Sequence, residues 1–127
     1  MKNGKPLILL VEDSKTASIM AISLLEELGC SIDLAETGEQ ALEMVARETY
    51  DLVFMDLGLP EAGGIATTAG IKKMQGIKNV PVIALTAHNT EELKDECFRV
   101  GMDGYITKPL EKEKVDYFLK KYMLIRG

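Results

Sequence analysis

The sequence is poor in the residues that would mark several common classes of protein. Of its 127 residues only two are cysteines, and Cys30 and Cys97 form neither a CxxC pair nor a metal-ligand spacing. This excludes a disulfide framework and a zinc site, and both read as small core thiols suited to a reducing cytoplasm. No stretch approaches the roughly 20 apolar residues of a membrane span. The apolar run that follows Met1, Lys2, Asn3, Gly4 and Lys5 is too short for a signal peptide. Basic residues are outnumbered 15 to 20, and the net charge of -5 argues against a nucleic-acid-binding surface. The phosphate-binding loops GxxxxGK and GxGxxG are missing after the first apolar run. Glu12, Asp13 and Ser14 stand there instead and would repel a phosphate unless a metal intervened.

What remains is a regular alternation in a chain of ordinary globular composition, 46% hydrophobic and 28% charged. Residues 7–11 are continuous and apolar, as a parallel strand buried on both faces should be. Asp13 or Ser14 then caps a helix whose inward positions are expected to be Ala17, Met20, Ala21, Leu24, Leu25 and Leu28, with Gly29 ending it. A second strand covers residues 31–35, and Thr37 with Gln40 reads as a capping box for a helix to about residue 48. A third strand, residues 52–55, ends on Asp56. A glycine-rich loop follows, then a weaker helix over about residues 65–74, interrupted by Gly70. The fourth strand is residues 81–86. Thr90 caps a helix that buries Leu93, Cys97 and Val100 and ends at Gly101. A short strand at residues 104–106 precedes a last helix, about residues 111–122, with Val115, Phe118, Leu119 and Tyr122 inward. Five β-α units with short connections predict an α/β fold, a parallel sheet covered by helices on both faces. No linker or repeat divides the chain, so one domain is expected over residues 1–127, with its core at about 7–122 and no output domain.

The polar residues of interest fall at strand ends: Glu12 and Asp13 after the first, Asp56 after the third, Lys108 after the fifth. With strand order 2-1-3-4-5, the first and third strands are neighbours at a switch point, where open α/β sheets bind ligands. Two carboxylates about 4 Å apart repel by about 4 kcal/mol at an effective dielectric near 20. Three acids against one lysine therefore need a further cation or a raised pKa. A hard divalent ion such as Mg²⁺ suits such oxygen donors; the alternative is a solvated acidic rim.

These residues, with Pro60, Gly64, Thr86, Ala87, Tyr105 and Pro109 at family spacing, make the chain resemble the receiver domain of two-component response regulators over about residues 7–122. The resemblance implies the flavodoxin-like receiver fold, a doubly wound five-stranded parallel sheet of order 2-1-3-4-5 flanked by five helices. It implies that Asp56 is the phosphoacceptor, taking a phosphoryl group from a phosphohistidine. Asp13, Asp56 and the Gly58 carbonyl would hold Mg²⁺, with Glu12 acting through water and Mn²⁺ able to substitute. Lys108, Thr86 and the Ala87 N–H would bind the phosphoryl group. Tyr105 would rotate inward and alter the surface of the fourth helix, fifth strand and fifth helix, and Pro109 would follow a cis peptide bond. The implied phosphodonor is a histidine kinase or a histidine-phosphotransfer domain, in the cytoplasm and without direct contact to nucleic acid or membrane. The downstream partner is left unspecified.

Some family positions are filled unusually. Gly58 has no side chain to shield an acyl phosphate, and the loop lacks the acid that often precedes Gly64, with a second glycine, Gly63, in its place. His88 is either a solvated loop residue or a modulator of phosphoryl hydrolysis. A lone loop histidine lacks the helical presentation of a phosphodonor. Two other readings compete: an aspartate-nucleophile phosphatase, which would usually carry a second Asp where Gly58 stands, and a constitutive binding module, which would not need all of Asp13, Asp56, Thr86 and Lys108. The segments around Gly64 and Gly101 look more like receivers of hybrid kinases than stand-alone shuttles.

Overall fold

The computed structural model describes residues 1–59, 63–74, 79–122 and 124–125. Among them run β1 (Leu7–Val11), α1 (Lys15–Glu27), β2 (Ser31–Ala35), α2 (Gly38–Arg47), β3 (Leu52–Asp56), α3 (Gly63–Met74), β4 (Val82–Thr86), α4 (Glu91–Arg99), β5 (Gly104–Thr107) and α5 (Lys112–Lys121). All strand pairs are parallel and the sheet order is β2-β1-β3-β4-β5, as expected.

Side chains alternate across each strand, so the sheet feeds two apolar layers. Leu9, Val11, Val53, Met55, Val82 and Ala84 pack with Ala41 of α2, Ile71 of α3 and Cys97 of α4. Ile8, Leu10, Leu52, Phe54, Ile83 and Leu85 pack with Ala21 and Leu25 of α1 and with Val115, Phe118 and Leu119 of α5. Each such fully buried side chain contributes about 1.5–3 kcal/mol, which explains why strands without polar alternation stay inside.

The helix starts follow from their caps. Ser14 accepts from the Ala17 N–H, Thr37 from the Gln40 N–H and Thr90 from the Leu93 N–H. Gly29 and Gly101, with φ of 89° and 98°, take the left-handed turn that ends α1 and α4.

Three details differ from expectation. In α1 the buried residues are Ser18, Ala21 and Leu25, while Met20 is 67% exposed. Ala21 and Leu25 are buried as expected, with Leu24 and Leu28 packed against the same layer, so it is Met20 that departs from the expected face; Ser18 can go inward because its hydroxyl donates to the Lys15 carbonyl. Gln40 closes the second cap by accepting from the Glu36 N–H rather than from that of Thr37. Gly70 does not interrupt α3, which is continuous. A Cβ there would stand 3.0 Å from Leu42, so the glycine serves the close approach of α3 to α2.

Candidate functional site

Strand register assembles the site. Val11 lies opposite Met55, Asp56 opposite Leu85, and Thr86 opposite Thr107. The residues that end or follow these strands, Glu12, Asp13, Asp56, Thr86 and Lys108, therefore share one edge of the sheet. Further backbone bonds extend the edge: the Glu12 N–H donates to Ala35, that of Leu57 to Leu85, and that of Lys108 to Thr86.

Glu12, Asp13 and Asp56 each bring a carboxylate oxygen to within 4.8 Å of one another. Glu12 and Asp56 are 3% and 5% exposed, whereas Asp13 faces solvent. Lys108 Nζ lies 3.0 Å from Glu12 Oε1 and 3.3 Å from Asp56 Oδ1. The Gly58 N–H donates to Asp56 Oδ1 at 3.0 Å. Glu12 also accepts from the Ser14 N–H, at 3.3 Å.

Two carboxyls so close cannot both ionise freely. Burial and the neighbouring Asp56 push Glu12 above the usual carboxylate range, against the pull of Lys108. Burial acts on Asp56 too. There it is outweighed by hydrogen bonds from the Glu12 carboxyl and the Gly58 N–H and by the Lys108 charge, which together hold Asp56 below its ordinary value. Burial would lower Lys108, but its two carboxylate partners keep it raised. Of the two carboxyls, Glu12 is the one pushed toward its protonated form and Asp56 the one held toward its anion. Three acids converging with one cation are a fitting donor set for a hard divalent ion.

Glycines shape the surroundings. A Cβ on Gly64 would collide with the Asp56 carbonyl oxygen, so the first turn of α3 can lie against the end of β3 only with glycine there. Gly63, at φ 75°, makes the left-handed turn into it. At Gly58 a Cβ would stand 3.5 Å from Asp56 Oδ1, in ordinary contact, and its absence leaves the carboxylate open on that side. Pro60 lies outside the described residues.

On the β4 side, Thr86 is 4% exposed and its hydroxyl is engaged with the loop. It donates to the His88 carbonyl and accepts from the His88 N–H, each at 3.0 Å. Ala87 is exposed at the strand end. The His88 side chain makes no hydrogen bond among the described residues, so the structure ties its backbone, not its imidazole, to Thr86. Half-buried Tyr105 donates to Asn89 Oδ1 at 3.3 Å and carries Lys94 Nζ above its ring, 5.0 Å from the centroid. Neither Asn89 nor Lys94 was evident from sequence, since the contact joins α4 to β5. The Lys108–Pro109 peptide is cis.

Residues 8–120 match the family model of the response regulator receiver domain, and the chain belongs to that family. It is a signalling domain of two-component phosphorelay systems. It is 39% identical over 116 residues to the aerobic respiration control sensor protein ArcB of Escherichia coli (strain K12), covering 91% of this chain and 15% of that protein. It is 32% identical over 153 residues to the probable histidine kinase 1 of Oryza sativa subsp. indica, covering 95% and 16%. The chain therefore spans about a sixth of the length of these curated relatives. Among solved structures, the receiver domain of sensor histidine kinase PA1611 from Pseudomonas aeruginosa PAO1, with magnesium coordinated in its active site cleft, superposes with a TM-score of 0.86. It is 31% identical, over 94% of this chain and 98% of that one.

Proposed function

We propose that this domain accepts a phosphoryl group from a phosphohistidine onto Asp56 in a Mg²⁺-dependent reaction. The observation that carries this reading is a buried Asp56 held between Lys108 and two further carboxyl groups at one sheet edge. In the step itself an Asp56 carboxylate oxygen forms a bond to phosphorus as the P–N bond breaks. The leaving imidazole nitrogen keeps the electron pair, and an acyl phosphate results. Asp13, Asp56 and the Gly58 carbonyl would hold the ion, with Glu12 acting through water, and Mn²⁺ would serve in its place. When bound, the ion neutralises charge on the phosphoryl oxygens. Lys108 would contact a phosphoryl oxygen, and the Ala87 N–H and, once released from the His88 carbonyl, the Thr86 hydroxyl would donate to the others. The domain thus promotes its own phosphorylation and a slow self-dephosphorylation, with His88 and bare Gly58 adjusting the lifetime.

The donor would be a histidine kinase or histidine-phosphotransfer domain in the cytoplasm. An apolar groove of about 580 Å³, lined by Ile19, Met20, Leu24, Pro109 and Leu110, runs up to Glu12 and Lys108 and offers a seat for such a helix. The lengths of ArcB and of the rice kinase support a receiver carried within a hybrid kinase, with residues 7–122 acting as one unit. Among the described residues no helix is long and apolar enough to cross a membrane. Once Asp56 is phosphorylated, Thr86 turns from the loop toward the phosphoryl group, Tyr105 follows inward, and the α4-β5-α5 surface changes for a downstream partner.

Incubation with Mg²⁺ and acetyl phosphate or phosphoramidate, followed by intact mass measurement, tests this reading. One phosphoryl adduct is expected, lost on chelation and in Asp56→Asn. An adduct that survives both treatments would exclude it.

A further inference from the structure

We propose that Lys94 is a latch on Tyr105, a positioning residue that sets how much of the domain occupies the switched state before and after phosphorylation. The inference rests on the reading of Thr86 and Tyr105 as the responding pair. It begins from contacts that this reading does not use. Lys94 projects from α4 over the Tyr105 ring of β5, with its ammonium 5.0 Å from the ring centroid. The same ring is tied at its hydroxyl to Asn89 in the loop between β4 and α4, at 3.3 Å. Two elements outside the phosphoryl site thus hold the phenol where it is.

Behind the ring lies a cavity of about 10 Å³, lined by Thr86, Leu93, Cys97 and Tyr105 among others. That space admits at most a single water and no aromatic ring. Thr86 is part of its lining, with its hydroxyl bonded twice to His88. Tyr105 can enter only after Thr86 departs, and entry also requires it to leave Asn89 and slide from under Lys94. The two transitions share one cavity wall, and Lys94 opposes the second of them. Its charge is also paired with Glu91, 3.4 Å away on the same helix and 84% exposed, a solvated contact that the latch does not need.

A cation over a tyrosine face at a partly exposed site corresponds to about a two- to fivefold bias in a two-state ratio. Removing it should raise the share of inward Tyr105 by that factor. It should lower by the same factor the beryllofluoride concentration, with Mg²⁺ present, that half-converts the domain.

The experiment compares wild type with Lys94→Ala, Lys94→Arg and Glu91→Gln. Three-bond couplings of selectively labelled tyrosine give the Tyr105 χ1 populations without any ligand, and a beryllofluoride titration followed by NMR gives the midpoint. Lys94→Ala should shift both readouts about two- to fivefold, while Lys94→Arg, which keeps the cation, stays near wild type. Glu91→Gln, which removes only the ion pair, should leave the χ1 populations unchanged. Unaltered χ1 populations in Lys94→Ala would overturn the latch. So would altered populations with an unmoved beryllofluoride midpoint, because the ring would then be uncoupled from the site. If wild type itself takes up no beryllofluoride, the phosphoryl-acceptor reading fails and the latch as a control of it fails too, whereas the χ1 comparison still reports whether Lys94 holds the ring.

Discussion

The two halves of the sheet's carboxyl edge are held by different kinds of force. On the β1–β3 side, buried carboxyls are fixed by strand register, by a helix start that lies against the Asp56 backbone, and by the Lys108 ammonium reaching across from the end of β5. On the β4–β5 side, a hydroxyl is held by two hydrogen bonds to the His88 backbone and a phenol by one hydrogen bond and one cation–ring contact, all to loop or helix-surface groups. The first half resists movement because moving it would strand buried charge, which costs several kcal/mol. The second half trades contacts of about 1 kcal/mol each, within reach of a single phosphoryl group. On the proposed function, chemistry would sit on the rigid side and response on the soft side.

The difference can be probed by substitution, beginning with the largest effect. Lys108→Ala leaves Glu12 and Asp56 buried without their cation. Thermal unfolding should show a loss of about 1–2 kcal/mol, below the figure for a fully buried pair because Lys108 is 31% exposed. Added Mg²⁺ should recover part of it, while the rate of adduct formation falls severely. Gly64→Ala should cost about 2–3 kcal/mol, since backbone at Asp56 cannot rotate away from the new methyl. Gly70→Ala meets only the movable end of Leu42 and should cost under about 1 kcal/mol, offset by a better helix former. Denaturant titration of the two alanine variants gives that ordering.

A smaller effect concerns the core beneath. Burial pushes the Cys30 thiol up from 9.0 to about 11. The unfolded chain therefore gives up this proton first as pH rises, and the native state should lose stability between about pH 9 and 11. Cys30→Ala should flatten that part of the stability–pH curve. The smallest effect is expected from His88→Ala, on the soft side: the half-life of phospho-Asp56 should change while unfolding stays put, and an identical half-life would return His88 to the role of a solvated loop residue.

Much of the rigid side was legible in the sequence, because its determinants are local. Apolar runs ending in Asp56 and in Glu12 and Asp13 placed the acids at strand ends, and Ser14, Thr37 and Thr90 announced the helix starts. Sheet order came less directly, through resemblance, since alternation of strands and helices does not state which strands pair. In α1 the expected face holds except at Met20, because Ile19 and Met20 put apolar surface on the outer side too and only packing against the sheet chooses among them. Gly70 read as a helix breaker because its partner Leu42 sits in another helix. Lys94 and Asn89 gave no signal for the same reason: their significance is a meeting with β5 that spacing does not encode. Strand ends and caps are written in neighbouring residues, whereas strand pairing and weak tertiary contacts are not.

The central claim is that Asp56 receives the phosphoryl group from a phosphorus–nitrogen bond. N-phosphoimidazole carries that bond, and borohydride reduction converts an aspartyl phosphate to homoserine in place. Treating the domain with N-phosphoimidazole and Mg²⁺, reducing it and mapping its peptides should yield homoserine at residue 56 alone, and none when Mg²⁺ is chelated. Homoserine at residue 13 instead, or a chain left unmodified under these conditions, would contradict the claim.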